Sequence, residues 1–415
     1  MNRLIKNIFT CLLQLLTGGL LLVSCKKYDT QPDMKGAAYL RVFNEIPFTL
    51  DLTTKTQVVP FFTMIIDPIF SGKGVPSGGQ IVGDYLGSRL VFNPSTSINE
   101  GNPLGTPLDT TIRYNINYEY PGNAHVLTAP SINGLDLSAW AQISSGKHRV
   151  LFITRPRNKI DFSLLSDTIR NSVIIDTTVD LRAGEVYTME TVLQDIDETK
   201  YGIYLRQESF IHETFDRNKN YVTFFNLSGK NSSLSSNPIS PSSGYFYDTM
   251  NVSYTYYDPQ APGNNLLGAP IPGYTDIYLM TLNSRMAAGA PYLPLPVLPL
   301  SSFYDNQGTL KTYYNYSTQN RGTMPYFVFN FIASGNNVPT AGMVQTYSLI
   351  CDVDPVMVNT LTVYQVNNRN GGGINANANL NMVVQLDGKA AVYPAVYIME
   401  LVFNKVYLMQ VQQKI

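Results

Sequence analysis

The sequence predicts an all-β protein with two tandem β-sandwich domains. Short runs rich in valine, isoleucine, phenylalanine and tyrosine, such as residues 149–154 and 220–226, are separated by clusters of glycine, proline, asparagine and threonine. Stretches long enough for an amphipathic helix are nearly absent, and both features are typical of short strands joined by turns. A third observation, a strand pattern that occurs twice, indicates that the two domains share one plan.

The repeat consists of two matched pieces in each half of the chain. Residues 38–44 match residues 220–226, with tyrosine, phenylalanine and asparagine at the same spacing. Near the end of each half, the pattern Val-Tyr-x-Met-Glu occurs at residues 186–190 and again at residues 396–400. Two matches in the same order favour duplication of a β-domain, with the boundary in the polar stretch 213–219.

Two segments near the C terminus are also predicted to be extended. Residues 291–299 contain four prolines, and proline lacks the backbone N–H that a central strand needs. This segment is therefore predicted at a sheet edge or on the surface. Residues 391–411 are apolar but are interrupted by Pro394, Glu400 and Asn404, so they predict two strands rather than a membrane span.

The N terminus has the three parts of a bacterial export signal. Arg3 and Lys6 make a positively charged start, and residues 8–22 form an apolar run that is too short and interrupted for a spanning helix. Leu22-Val-Ser-Cys25 then resembles the lipobox of bacterial lipoproteins. The resemblance implies that the Cys25 thiol receives a diacylglycerol, that residues 1–24 are cleaved, and that the new N terminus is acylated, for example with palmitate. Several acyl chains anchor a protein durably.

The segment after the lipobox predicts a flexible tether. Residues 25–36 are polar and show no periodicity. Lys26 stands where the inner-membrane retention signal of lipoproteins has aspartate, which favours the outer membrane and leaves its face open. The predicted organisation is a signal peptide at 1–24, a tether at 25–36, a first β-sandwich domain at 37–214 and a second at 219–415.

Three segments of the first half resemble a known family. Residues 39–44, 145–152 and 181–188 look like the opening, central and late strands of immunoglobulin-like domains of unknown function, found in Bacteroidota-type envelope lipoproteins. The second half keeps the opening and closing strands and departs elsewhere. The resemblance implies immunoglobulin-like sandwiches and an envelope location, and it implies no activity.

Composition excludes some classes of partner and covalent link. The chain has 29 basic and 30 acidic residues and no basic cluster, so binding to nucleic acid is not expected. Cys11 leaves with the signal peptide and Cys25 is lipidated, so Cys351 has no cysteine with which to form an internal disulfide. Its apolar neighbours predict a buried small side chain.

Motifs for catalysis or cofactor binding are absent from the sequence. His125, His148 and His212 do not have metal-ligand spacing, and no Gly-x-Ser-x-Gly or phosphate-binding loop occurs. We therefore predict no catalytic residues, no metal and no cofactor. A pair of carboxylates that act on glycans stays open, because such a pair is assembled in space rather than in sequence.

Tyrosine clusters in the second half are the candidate ligand site. Alternation along a strand places neighbouring members on one face, where phenol rings would offer an apolar surface with polar tips. The alternative is that they cover the sandwich core or pair across strands. The residues of this tyrosine platform are Tyr245, Tyr247, Tyr254, Tyr256, Tyr313 and Tyr314.

Three functions remain possible from the sequence. The leading hypothesis is a lipid-anchored, non-enzymatic envelope protein that binds a glycan or a protein partner through its second domain. The second is a fimbrillin-like subunit that polymerises by donating residues 404–412, which alternate as a strand does. The third is an enzyme with a spatially assembled carboxylate site.

Overall fold

The computed structural model describes most of residues 33–227 and the strands that follow them. No helix among the described residues is long and apolar enough to cross a membrane. Residues 34–415 form one compact unit, and residues 1–33 form another, of which Asp33 alone is described. The described residues are 33–46, 61–87, 89, 92–93, 121–125, 131–158, 160–195, 199–216, 218–227, 249–258, 269–283, 290–296, 326–333, 347–353, 361–367, 374–376, 382–386, 389–393, 395–402 and 405–412.

The fold is all-β, which confirms the predicted class. The described helical segments are short: 3-10 turns at Phe162–Leu164 and Ser209–His212, and α1 at Asp167–Arg170. The strands of the first half are β1 (Ala37–Asn44), β2 (Phe62–Phe70), β3 (Pro76–Leu86), β4 (Phe92–Asn93), β5 (Ser131–Ile132), β6 (Leu135–Asp136), β7 (Ala141–Ser144), β8 (Gly146–Thr154), β9 (Val173–Leu181), β10 (Val186–Asp195) and β11 (Lys200–Gln207).

The described residues from 219 onward form strands, and no helix occurs among them. They are β12 (Lys219–Asn226), β13 (Thr249–Asp258), β14 (Ala269–Pro270), β15 (Ile277–Asn283), β16 (Leu293–Pro296), β17 (Tyr326–Ala333), β18 (Tyr347–Val353), β19 (Leu361–Asn367), β20 (Ile374–Ala376), β21 (Met382–Leu386), β22 (Lys389–Tyr393), β23 (Ala395–Val402) and β24 (Lys405–Gln412). Residues 391–411, predicted to form two strands, contain β23 and most of β24, and the end of β22 also falls in this range.

Two four-stranded sheets of the first half pack on a shared core. Their strand orders are β7-β1-β10-β11 and β3-β2-β8-β9. Side chains alternate along a strand, so Leu40 and Met189 point from the first sheet toward Met64 and Phe152 of the second. The opposite face of the first sheet is therefore free to meet the second half.

The second half repeats the first of these sheets. The order β16-β12-β23-β24 corresponds strand for strand to β7-β1-β10-β11. In both copies the two matched sequence pieces are the partners of one parallel ladder, with Tyr39 opposite Val186 and Tyr221 opposite Val396. Strand β16 lies at the edge, as predicted for its proline-rich sequence, because its prolines cannot donate to a second neighbour.

The two halves share one core and one sheet. Strand β4, from the first half of the sequence, pairs in parallel with β24 and so extends the sheet of the second half. Trp140 and Phe210 of the first half lie in the same hydrophobic cluster as Phe224 and Ile398 of the second. The hydrophobic core thus contains residues from both sides of the predicted boundary at 213–219.

Candidate functional site

Six ionisable side chains are buried together where the repeated sheets of the two halves meet. Burial of so many ionisable groups is unusual, since an unpaired charge is strongly disfavoured away from water. At most 3% of any of these side chains is exposed. The members of this buried charge cluster are Glu45, Arg89, Glu190, Arg206, Glu208 and Glu400.

The repeat itself places two of the glutamates. Glu190 on β10 lies opposite Phe43, and Glu400 on β23 lies opposite Phe225, at the same position of each parallel ladder. Partners in register point to the same face of a sheet, so both carboxylates leave equivalent faces of their sheets. Those faces are packed against each other, because Arg206 of the first sheet contacts Glu400 of the second.

Arg89 is brought into the cluster from the segment between β3 and β4. Its backbone N–H donates to the carbonyl oxygen of Asn44 at 2.8 Å. Its Nη1 donates to Glu45 Oε1 and to Glu400 Oε2 in very short contacts. The guanidinium carbon lies 3.8 Å from the ring centroid of Phe43, a cation–π geometry that partly replaces lost hydration.

Arg206 on β11 also links the two halves, because it contacts the second carboxylate oxygen of Glu400. Its Nη2 donates to Glu400 Oε1 in a very short contact, and its Nη2 and Nε donate to Glu208 Oε1 at 2.9 and 3.0 Å. Its Nη1 lies 3.2 Å from Glu190 Oε1. The guanidinium carbon is 4.3 Å from the ring centroid of Phe225. Both arginines belong to the first half, and Glu400 of the second half accepts from both.

The carboxyl groups respond to this environment in opposite directions. Burial raises the pKa of Glu45 to about 7, although Arg89 opposes the shift. Burial also raises the pKa of Glu190 well above its ordinary value. For Glu400 burial acts in the same sense, but Arg89 and Arg206 outweigh it and lower the pKa to about 2. The cluster therefore favours the charged form of Glu400 and raises the pKa values of the two carboxyls beside it.

The carboxylate group has the shape of a metal site, but an arginine already occupies it. Oxygens of Glu45, Glu190 and Glu400 lie within 4.8 Å of one another. A cation between them would have to displace the Arg89 guanidinium, which donates to two of the three. The three side chains are also completely buried, so a glycan in solution cannot reach them in this conformation.

The cluster was not predicted, although one signal for it is visible in the sequence. The motif Val-Tyr-x-Met-Glu ends both copies of the repeat with a glutamate inside an apolar strand, at Glu190 and Glu400. A third matched piece was also missed: Tyr-Leu-x-Gln occurs at residues 204–207 and 407–410. These pieces lie beside the glutamates, with Glu190 opposite Tyr204 and Glu400 opposite Tyr407.

The structure places two members of the tyrosine platform in the core. Tyr254 and Tyr256 share one side of β13 with ring centroids 6.5 Å apart, as alternation predicts. Their side chains are buried, at 6% and 0% exposure, because β13 pairs with β15 and β17 and packs on the shared core. These two residues therefore do not form an exposed ligand surface. The members outside the described residues are Tyr245, Tyr247, Tyr313 and Tyr314, and Cys25 is outside them too.

The C-terminal segment considered for strand donation is already paired in its own chain. Strand β24 is antiparallel to β23 along its whole length, from Val402 opposite Lys405 to Ala395 opposite Gln412. Strand β4 occupies part of its other edge. Donation of β24 to another subunit would require both pairings to break. The alternating pattern of this segment is therefore explained by pairing within its own chain and no longer favours a fimbrillin-like subunit.

The histidines make local contacts rather than a shared site. The ring nitrogens of His148 lie 2.7 Å from Asp67 Oδ2 and 2.7 Å from the Ser144 carbonyl oxygen. His212 Nε2 lies 2.8 Å from Glu185 Oε2. Neither belongs to the one group of potential metal ligands that occurs among the described residues.

Comparisons with known proteins leave the family open. No protein-family model matches the chain, and no curated protein matches it. The resemblance to immunoglobulin-like lipoprotein domains therefore depends on the sequence segments quoted above. The structure itself shows an all-β body in which one sheet of each half is repeated, and these two sheets meet at a buried charge cluster.

Proposed function

We propose that this chain is a lipid-anchored protein of the outer membrane that binds a glycan or a protein partner without catalysis. The observation that carries the proposal is the lipobox-like Leu22-Val-Ser-Cys25, followed by a polar segment and then by β1 at Ala37. An export signal, a lipidation site and a folded β-body in that order are what an anchored envelope protein needs.

The contacts of the buried glutamates support a binding or scaffolding role over an enzymatic one. The assembled carboxylates Glu45, Glu190 and Glu400 contact arginines inside the protein rather than a cleft. Their contacts tie the two halves together. A body with a fixed relation between its halves suits a protein that presents a binding surface away from the membrane.

The anchor is tested by metabolic labelling of the full chain with an alkyne analogue of palmitate in a bacterial host. We expect labelling and membrane fractionation of the wild type, and loss of both in Cys25→Ser. The matched control is Cys351→Ser, which should be labelled like the wild type. Equal labelling of Cys25→Ser and the wild type, or none in either, would contradict the proposal.

The binding role is tested with glycan arrays and pull-downs from envelope extracts. The four remaining tyrosines of the platform, Tyr245, Tyr247, Tyr313 and Tyr314, are changed singly to alanine. We expect at least one change to reduce binding while the unfolding midpoint stays constant. Unchanged binding in all four variants would remove the platform from the proposal. Absence of any ligand for the wild type would remove the binding role itself.

A further inference from the structure

We infer that the β2–β3 hairpin, residues 69–75, rests on the lipid surface that carries the anchor. This inference rests on the proposed lipidation of Cys25. Its motivation is a pair of adjacent apolar side chains at the hairpin, Ile69 and Phe70, which are 60% and 39% exposed. Isolated exposed apolar residues are ordinary, whereas two in succession at the end of β2, next to the turn, offer a candidate contact surface.

The hairpin is held in a defined shape. The backbone N–H of Ser71 donates to the Val75 carbonyl oxygen at 2.8 Å, and that of Gly74 donates to the Ser71 carbonyl oxygen at 2.8 Å. The Arg149 guanidinium carbon lies 5.1 Å from the centroid of the Phe70 ring. The two apolar side chains thus lie at the end of β2, directly before a hydrogen-bonded turn.

The hairpin lies at the end of the first half where the tether joins. Ala37, the first residue of β1, pairs with Ser144. The Ser144 carbonyl oxygen is 2.7 Å from His148 Nε2, and His148 Nδ1 is 2.7 Å from Asp67 Oδ2. Asp67 precedes Ile69 by two residues. This chain of contacts connects the start of β1 to the base of the hairpin within one end of the sandwich.

The number of residues in the tether limits how far that end can lie from Cys25. Eleven residues separate Cys25 from Ala37, and a fully extended chain of this length reaches at most about 40 Å. An apolar pair at the anchored end can therefore reach the bilayer boundary, where such side chains are buried roughly 5–10 Å deep. A lipid surface is thus within reach of the hairpin, and it is the partner to which we assign the apolar pair.

Charge at this end indicates apolar insertion rather than attraction to anionic lipid. Three exposed cations next to the hairpin have acidic neighbours, and among the described residues 69–75 Lys73 is the one cation, so the hairpin carries no basic patch. The pairs are Lys73 with Asp167 at 3.7 Å, Arg149 with Asp176 at 2.7 Å, and Lys147 opposite Asp180 in the β8–β9 ladder. We therefore expect docking on zwitterionic vesicles, with little dependence on salt.

The test uses tryptophan fluorescence of the full lipidated protein in phosphatidylcholine vesicles. Phe70→Trp places a reporter at the hairpin, and Tyr278→Trp is the matched control at a site on β15 that is 53% exposed. Trp140, the only native tryptophan, is completely buried and supplies the background. We expect lipids brominated on the acyl chain to quench the added emission of Phe70→Trp by about half. They should leave Tyr278→Trp and the wild type unchanged.

The possible outcomes separate this inference from the proposed function. If mass spectrometry finds lipid on Cys25 and the added emission is not quenched, the docking inference is wrong and the anchor stands. If no lipid is found, both are overturned. If the added emission shifts to shorter wavelength when the protein is concentrated without vesicles, the hairpin meets a second copy of this chain, and docking on lipid is overturned.

Discussion

Glu190 and Glu400 occupy the same position in the two copies of the repeat, and an oxygen of each lies within 4.8 Å of the other in the buried charge cluster. Their pKa values nevertheless shift in opposite directions. Glu400 accepts from both Arg89 and Arg206, whereas the closest guanidinium contact of Glu190 is the 3.2 Å approach of Arg206. At equivalent positions of the repeat, the protein therefore favours the charged carboxylate at Glu400 and the uncharged carboxyl at Glu190.

Replacement of Glu400 with glutamine should destabilise the protein strongly. The change removes the carboxylate that both buried guanidinium groups use, and breaking a buried ionic contact on one side costs roughly 3–5 kcal/mol. Equilibrium unfolding in urea measures the loss. Glu213→Gln, the same change at an exposed position, is the control and should leave the midpoint unchanged. Similar midpoints for both variants would show that the cluster contributes nothing.

Replacement of Glu190 with glutamine should have a much smaller effect. Burial raises the pKa of Glu190 well above its ordinary value, which favours the uncharged carboxyl, and glutamine has nearly the same shape and no charge. We expect a change of less than about 1.5 kcal/mol in the free energy of unfolding. A loss as large as that of Glu400→Gln would mean that Glu190 is ionised in the folded protein.

Stability should fall as the pH rises between about 4.5 and about 7. The pKa of Glu45 is raised from 4.5 to about 7 in the folded protein, so the folded state holds more protons than the unfolded state across this window. Its contribution is fully present below pH 4.5 and is lost as the pH passes 7. Unfolding midpoints across this range measure the slope, and Glu45→Gln should reduce it. An equal slope in that variant would contradict the assignment.

At lower pH the dependence should reverse. The pKa of Glu400 is lowered from 4.5 to about 2, so its contribution is present above pH 4.5 and is lost as the pH falls toward 2. The same titration of unfolding midpoints, extended to acid, should therefore show a decline on that side as well. In Glu400→Gln this acid decline should be reduced, and its persistence at full size would assign it to other carboxylates.

The placement of Tyr256 predicts a structural rather than a binding phenotype. Tyr256 is completely buried and its hydroxyl donates to the Pro296 carbonyl oxygen at 3.3 Å. Tyr256→Ala should lower the free energy of unfolding by roughly 3–5 kcal/mol, as other large-to-small core changes do. Tyr278→Ala at an exposed position should change it by less than about 0.5 kcal/mol. Equal free energies of unfolding for the two variants would contradict the burial of Tyr256 in the core.

The duplicated sheet was predictable because it depends on local pattern. Residues 38–44 and 220–226 share tyrosine, phenylalanine and asparagine at the same spacing. Because side chains along a strand point alternately to the two faces of a sheet, the same spacing predicts the same faces in both copies. The proline-rich edge strand was also predictable from local sequence, because proline has no backbone N–H to donate to a second neighbouring strand. The parallel pairing of the matched pieces was not visible, because register is a property of two segments.

The buried charge cluster could not be predicted because its members are distant in sequence. Arg89 and Glu400 are 311 positions apart, and an arginine in a connecting segment normally predicts solvent exposure. Tyr254 illustrates the opposite failure, since an aromatic strand residue looks the same whether its face is covered or open. In both cases burial is decided by the packing of the halves, which no single segment encodes.

The central claim is that the two halves are one folding unit joined through Glu400, and urea unfolding followed by two signals tests it most directly. Trp140 fluorescence reports on the core shared by the halves, while far-UV circular dichroism reports on all strands. We predict coincident transitions in the wild type, which move together to lower urea in Glu400→Gln. Two separate transitions in the wild type, with Trp140 unaffected by Glu400→Gln, would contradict it.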